Sequence, residues 1–198
     1  MGVPTIHDSP VSVIVLTGGR ATRMGMADKA SMQVGGVPIL QRIVGCLPGH
    51  EVWVVGAEVS GGPVAGIAVG VTQTDRDLVA VFAGDQPFVA EALPSLRAAV
   101  VGHDVAVLTA NRRRQFLASL WRRDALTAAL TRIGSPVDAP ARSLFVDVDV
   151  VEVDDTGRWS TDVDTPEDLA AANSEANQHP VTGRADHGQA GREGDSLQ

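Results

Sequence analysis

Two stretches of this chain combine residue types that handle phosphate. Leu16-Thr-Gly-Gly-Arg-Ala-Thr-Arg-Met-Gly-Met-Ala-Asp-Lys29 follows the apolar run Val11-Ser-Val-Ile-Val15 and carries the adjacent Gly18 and Gly19, three cations and one acid. Glycines after a buried strand let backbone N–H groups approach a polyanion, because no Cβ stands in the way. Lys29 is the single lysine among sixteen basic residues. In a chain that otherwise uses arginine, a compact ammonium on a slim stem points to chemistry rather than to a generic surface charge. The stretch is neither a Walker A loop, since Ala30 follows Lys29, nor G-x-G-x-x-G, since Gly18 and Gly19 are neighbours. The second stretch is Gly84-Asp85-Gln86-Pro87. Its Asp85 carboxylate suits Mg²⁺, which takes one or two carboxylates plus substrate phosphates, although an aspartate in such a turn is also an ordinary turn residue.

Asp162-Val-Asp164 comes next, just ahead of Thr165-Pro166. In an extended segment alternate side chains share a face, so the two carboxylates read either as further metal or substrate contacts or as the acidic approach to a helix N-terminus. Arg112–Arg114 with Arg122 and Arg123 reads as a cationic cluster, either a solvated hairpin tip or a place for an anionic second substrate. The five histidines show no metal-ligand spacing and no triad partner, and Cys46 reads as packing.

These residues need elements to position them, and the chain supplies an alternation. Strands are expected over 11–16, 51–55, 78–82, 104–108 and 148–153, with a hairpin return over 115–120. Helices are expected from Pro38 to about Cys46, Pro63 to about Thr72, Ala90 to Val101, Arg122 to Ile133 and Thr165 to about Asn173, with a short one over 140–145. Strands alternating with helices build an α/β domain, a mostly parallel sheet covered on both faces. Ligands of such sheets lie beyond the carboxyl ends of the strands, where the Thr17 and Gly84 turns both emerge. Residues 1–10 read as a flexible leader and 175–198, polar and glycine-rich, as a disordered tail.

Composition narrows the classes. A length of 198 residues favours one domain with a real core, and a net charge of −8 excludes broad nucleic-acid binding. No apolar run reaches the length of about 20 residues that spans a membrane, no secretory signal is visible, and one cysteine permits no internal disulfide, so a cytoplasmic protein is expected.

The first stretch resembles the signature L-A-G-G-x-[SA]-x-R-M-G-x-x-D-K of nucleotidyltransferases, in particular the molybdenum cofactor guanylyltransferase family. Gly62-Pro-Val-Ala-Gly66, Gly84-Asp85-Gln-Pro87 and Asp162-Val-Asp-Thr-Pro-Glu-Asp-Leu169 are similar to that family's later motifs, in the same order. The resemblance implies a three-layer sandwich of the glycosyltransferase A-like (nucleotide-diphospho-sugar transferase) type over residues 11–174, with one antiparallel strand in the sheet. It implies Mg²⁺-dependent transfer of GMP from GTP to the terminal phosphate of molybdopterin, with pyrophosphate released and molybdoenzymes or cofactor-insertion proteins as possible partners. By position, Leu16, Thr17, Gly18, Gly19 and Gly56 would line the nucleotide site, Arg23 and Lys29 would hold the triphosphate, Asp85 would bind Mg²⁺, and Asp162 and Asp164 would lie near the metal or the pterin. Related readings keep the chemistry and change the base or acceptor, as in a molybdopterin cytidylyltransferase or a phospholactate guanylyltransferase. A further one is a non-catalytic nucleotide-binding homologue. The chain departs from the pattern where Gly56 replaces an asparagine, where 57–62 is too short for a further strand bearing an aspartate, and where Arg114-Gln-Phe116 stands in place of H-P-T.

Overall fold

The structure, a computed structural model, describes residues 10–17 and 32–177. A six-stranded sheet forms from β1 (Ser12–Leu16), β4 (Glu51–Val55), β5 (Leu78–Ala83), β6 (Val105–Ala110), β7 (Arg113–Arg122) and β8 (Val150–Asp154), in the order β4-β1-β5-β7-β6-β8. Every pairing is parallel except those of β7, which runs antiparallel to both β5 and β6. β2 (Gln33–Val34) and β3 (Val37–Pro38) make a separate small hairpin.

Side-chain alternation along the strands divides the core in two. Val13 and Val15 of β1 with Ala80 and Phe82 of β5 face the layer formed by α1 (Ile39–Gly45), α3 (Leu93–Ala99) and α5 (Pro166–Ala176). Ile14, Val79 and Val81 face α2 (Gly62–Val71), α4 (Arg123–Ile133) and the 3₁₀ turn Ala141–Phe145. β5 is buried along its whole length, as a central strand covered on both faces must be. The three-layer α/β sandwich with one antiparallel strand is therefore present. No helix among the described residues is long and apolar enough to cross a membrane.

α2 lies unusually close to the sheet. A Cβ at Gly70 would stand 2.8 Å from Ile14 side-chain atoms, and one at Gly66 2.9 Å from Leu16 Cδ2. These glycines let the helix pack down onto the middle and the end of β1.

Several boundaries differ from expectation for identifiable reasons. Gly35 and Gly36, at φ 62° and 76°, turn the β2–β3 hairpin, so Pro38 completes β3 and caps α1 instead of opening it. The helix expected from Ala90 splits into a 3₁₀ turn, Val89–Ala92, and α3, because Pro94 has no N–H to continue the ladder. α5 runs to Ala176, two residues into the expected tail. Ala176 is 4% exposed, a Cβ on Gly35 would approach its Cβ to 2.9 Å, and Asn173 Oδ1 accepts the Gly35 N–H at 2.8 Å. The expected leader up to Ser9 and the tail from Gln178 lie outside the described residues.

The arginine cluster does not form. β7 separates Arg112–Arg114 from Arg122 and Arg123 by its ten residues, roughly 30 Å of strand. Arg114 instead reaches across β6 to meet Glu152 of β8 at 2.7 Å, and Arg123 meets Asp75 at 3.4 Å at the opposite end of the sheet. Asn111 and Arg112, both at positive φ, make the two-residue turn that joins β6 to β7.

Candidate active site

Register sets the site. Leu16 is level with Val55 of β4 on one side and Ala83 of β5 on the other, so three parallel strands end at one height. The chain leaving each strand is tied to its neighbour: the Thr17 N–H donates to Val55 O and the Gly84 N–H to Leu16 O, both at 2.9 Å. A Cβ on Gly84 would stand 2.8 Å from Thr17 Cγ2 and 3.0 Å from Leu16 O, so only glycine lets the two turns touch. Thr17, which opens the signature stretch, and Asp85, which follows Gly84, are thus adjacent at the carboxyl edge.

The Asp162–Asp164 arm docks on the same turn. The Val163 N–H donates to Asp85 O at 3.0 Å, and the Val163 side chain, 1% exposed, anchors in the core between two exposed aspartates. Behind it Gln86, 4% exposed, donates from Nε2 to Asp162 Oδ1 at 2.9 Å and to Ser160 O at 3.0 Å. Ser160 is itself held by Asp155, whose Oδ2 accepts from Ser160 Oγ at 2.6 Å and from its N–H at 2.9 Å. Beyond the arm, Thr165 and Asp168 close a reciprocal capping box at the start of α5, with Pro166 in the first turn. The acids ahead of Thr165 therefore belong both to a helix approach and to the crevice.

Gly56 ends β4 beside Thr17, and the space above it is taken. Glu58 folds back so that Oε1 accepts the Gly56 N–H at 2.8 Å, and a Cβ at position 56 would lie 2.6 Å from Oε2 and 3.4 Å from Thr17 Oγ1. The backbone N–H groups of Gly56 and of Glu58 itself hold this carboxyl below its ordinary range, so it is ionised at neutral pH. The position read as a missing side chain is occupied by the head of a neighbouring one.

Leu16, Thr17, Gly56, Asp85, Asp162 and Asp164 are thus gathered at one edge from four separate segments, whereas Gly18, Gly19, Arg23 and Lys29 lie outside the described residues. Among the described residues no group of three or more His, Cys, Asp or Glu converges on a point. A nucleotide-bound Mg²⁺ requires only one or two carboxylates, with phosphates and water completing the octahedron, and the adjoining Asp85 turn and Asp162 arm fit that need.

Gln86 and Glu58 carry no signal in the sequence. The partners of Gln86 lie 74 and 76 residues away along the chain. Among the described residues given no chemical role, His50 and Cys46 serve packing and strand pairing. His50 Nδ1 accepts the Val11 N–H at 3.1 Å at the far end of β1, and burial, aided by Arg97, lowers its pKa. Burial pushes the half-buried Cys46 thiol up, with Glu91 adding and Arg42 opposing, so it is a poor nucleophile.

Solved structures share this architecture. The 2-C-methyl-D-erythritol 4-phosphate cytidylyltransferase of Thermus thermophilus superimposes with a TM-score of 0.66 at 19% identity, covering 85% of this chain and 100% of that one. Molybdopterin-guanine dinucleotide biosynthesis protein A of Archaeoglobus fulgidus gives 0.60 at 19% identity, over 84% of this chain and 99% of that one. The fold is the one these nucleotidyltransferase structures share. The model of the MobA-like NTP transferase domain matches residues 13–60 and 52–187, and the chain belongs to that family. A protein of Natronomonas pharaonis named probable molybdenum cofactor guanylyltransferase is 28% identical over 192 residues, spanning 80% of this chain and 95% of its own.

Proposed function

We propose that this nucleotidyltransferase moves GMP from GTP to the terminal phosphate of molybdopterin. An oxygen of that phosphate bonds to the α-phosphorus as the bond to the β-phosphate oxygen breaks, and pyrophosphate leaves with its electron pair. The attacking phosphate is already ionised at neutral pH, so neither a protein nucleophile nor a general base is needed, and catalysis reduces to placement and charge neutralisation. The observation that carries the reading is the contact between the Thr17 and Gly84-Asp85 turns, which puts the start of a glycine-rich, cationic segment beside a carboxylate at a strand end. The name and near full-length span of the Natronomonas relative support the choice of base and acceptor.

In this reading Lys29 and Arg23 meet the triphosphate, Gly18 and Gly19 let the backbone approach it, and Leu16, Thr17 and Gly56 flank the nucleoside. Asp85, with Asp162 beside it, would hold Mg²⁺. That ion supplies charge neutralisation at the α-phosphoryl oxygens and the leaving pyrophosphate. Asp164 faces the acceptor. Glu58 supports guanine over cytosine, because a fixed, ionised carboxylate beside Thr17 offers two acceptors, matching the adjacent N1–H and 2-amino donors of guanine. A cytoplasmic reaction fits a chain with one cysteine and a GTP substrate.

Isotope labelling tests which bond breaks and what accepts. With GTP labelled at the α-phosphate, label passes to molybdopterin; with γ-label, it leaves in pyrophosphate. Label from the α-position appearing in free GMP at the same rate without acceptor would overturn the reading in favour of hydrolysis.

A further inference from the structure

We propose that Gln86 is a positioning residue that fixes Asp162 against the Asp85 turn, so that the two aspartates act as a pair toward a divalent cation. This rests on the reading of the crevice as a metal-assisted nucleotidyl-transfer site. Burying a glutamine costs side-chain entropy as well as the hydration of its amide. Gln86 is 4% exposed, and its Oε1 has no hydrogen-bond partner among the described residues. A methionine or leucine would fill the same volume without that orphaned oxygen, so the reason for an amide lies in its donor.

Nε2 sends both hydrogen bonds into one short segment, to Ser160 O at 3.0 Å and Asp162 Oδ1 at 2.9 Å. One residue further on, the Val163 N–H donates to the carbonyl of Asp85, the residue that precedes Gln86. The Gly84–Pro87 turn therefore grips the arm twice, once through backbone and once through the buried side chain, and the side-chain grip ends on a carboxylate oxygen.

The chemistry of the donor matters. A lysine or arginine at this position would also hold Asp162, but its charge would compete with a metal for the carboxylate. A neutral amide orients the carboxylate and leaves its negative charge intact. A carboxylate offers about four lone-pair sites, and the bond to Gln86 takes up one of them. This is the arrangement by which residues behind a metal site hold its ligands, and losing such a partner costs about 10–100-fold in metal affinity.

The test measures Mn²⁺ binding to the full chain with GTP present, by electron paramagnetic resonance, and needs neither acceptor nor turnover. Gln86→Met is expected to raise the half-saturating Mn²⁺ concentration about 10-fold or more. Because the effect runs through Asp162, the double variant Gln86→Met with Asp162→Asn should lose no more affinity than Asp162→Asn alone, a non-additivity that a purely structural role would not give. Should Gln86→Met fail to fold, Gln86→Asn keeps the amide, withdraws it by one methylene, and carries the same expectation at smaller size. Unchanged Mn²⁺ affinity in the folded variant, losses that add in the double variant, or a wild-type chain that binds no Mn²⁺ with GTP each overturn the proposal. Wild-type Mn²⁺ binding with the expected Gln86 effect but no transfer to molybdopterin would overturn the proposed reaction and leave this inference standing.

Discussion

Asp85 and Lys29 carry the heaviest demands of the proposed chemistry, because each would supply a charge where the transition state gathers its own. Lys29→Ala and Asp85→Ala are each expected to lower turnover by about 100-fold or more. A rate near wild type in either variant would remove that residue from the mechanism. Glu58 is the residue-scale surprise. Gly56 departs from the family pattern, yet the space a side chain would fill is held by the Glu58 carboxylate, which its backbone contacts keep ionised. Glu58→Gln should weaken GTP use relative to XTP by about 10-fold, since a bidentate pair is worth about 1–3 kcal/mol of base discrimination. Competition assays with the two nucleotides check this, and an unchanged ratio would mean that the carboxylate does not read the base. Motif reading singled out Asp85, Asp162 and Asp164, whose segments the structure brings together at one edge of the sheet. It passed over Gln86 and Glu58, because the role of one depends on contacts more than 70 residues away and that of the other on a side chain turning back over a glycine.

At the scale of elements, the strands and most helices were legible because their apolar periodicity and their capping residues agree. Val11–Leu16 reads as a buried strand and is one, and Thr165-Pro166 announces α5 with a complete capping box. The reading of an arginine cluster fails because closeness along the chain is not closeness in space. Arg112 and Arg123 are eleven positions apart, yet a ten-residue strand carries them to opposite edges of the sheet. Helix α2 shows the reverse, in that its glycines read as mere small-residue composition until their distance to β1 is seen. Gly70→Ala would press a methyl within 2.8 Å of Ile14, which is fully buried and has no room to yield. Overpacking of this kind costs about 1–3 kcal/mol, and urea unfolding should show it as a lower midpoint with unchanged slope. An equal or higher midpoint would show that α2 can lift from the sheet at no cost.

On the scale of the whole molecule, stability and function lie at opposite ends of the sheet. The carboxyl edge gathers the site, while the amino-terminal ends of β1 and β4 are tied by His50 and Glu51, the latter accepting from Thr74 Oγ1 at 2.6 Å. The His50 pKa is lowered from 6.5, chiefly by burial and then by Arg97, and the ring's Nδ1 accepts from Val11. A pKa lowered by folding means that the unfolded chain binds the proton first. The contribution of His50 is therefore complete above pH 6.5 and is lost as pH falls through the folded value. Glu51, lowered from 4.5 by the Thr74 hydrogen bond foremost, follows the same sign at more acid pH. Melting temperatures recorded from pH 8 to 5 should fall for the wild type and fall less for His50→Gln, and parallel curves would exclude this role.

The net charge of −8 leaves the three cations between Arg20 and Lys29 as a local exception, suited to a small polyanion rather than to a nucleic acid. That contrast, together with the fold and the converging motifs, leads to one claim about what passes through the crevice. The most direct test is pyrophosphate release by the purified protein with molybdopterin and Mg²⁺, supplied in turn with GTP, CTP, ATP and UTP. The account predicts rapid, acceptor-dependent release with GTP and little with the other three. Preferential release with CTP, or none with any nucleotide, would contradict it.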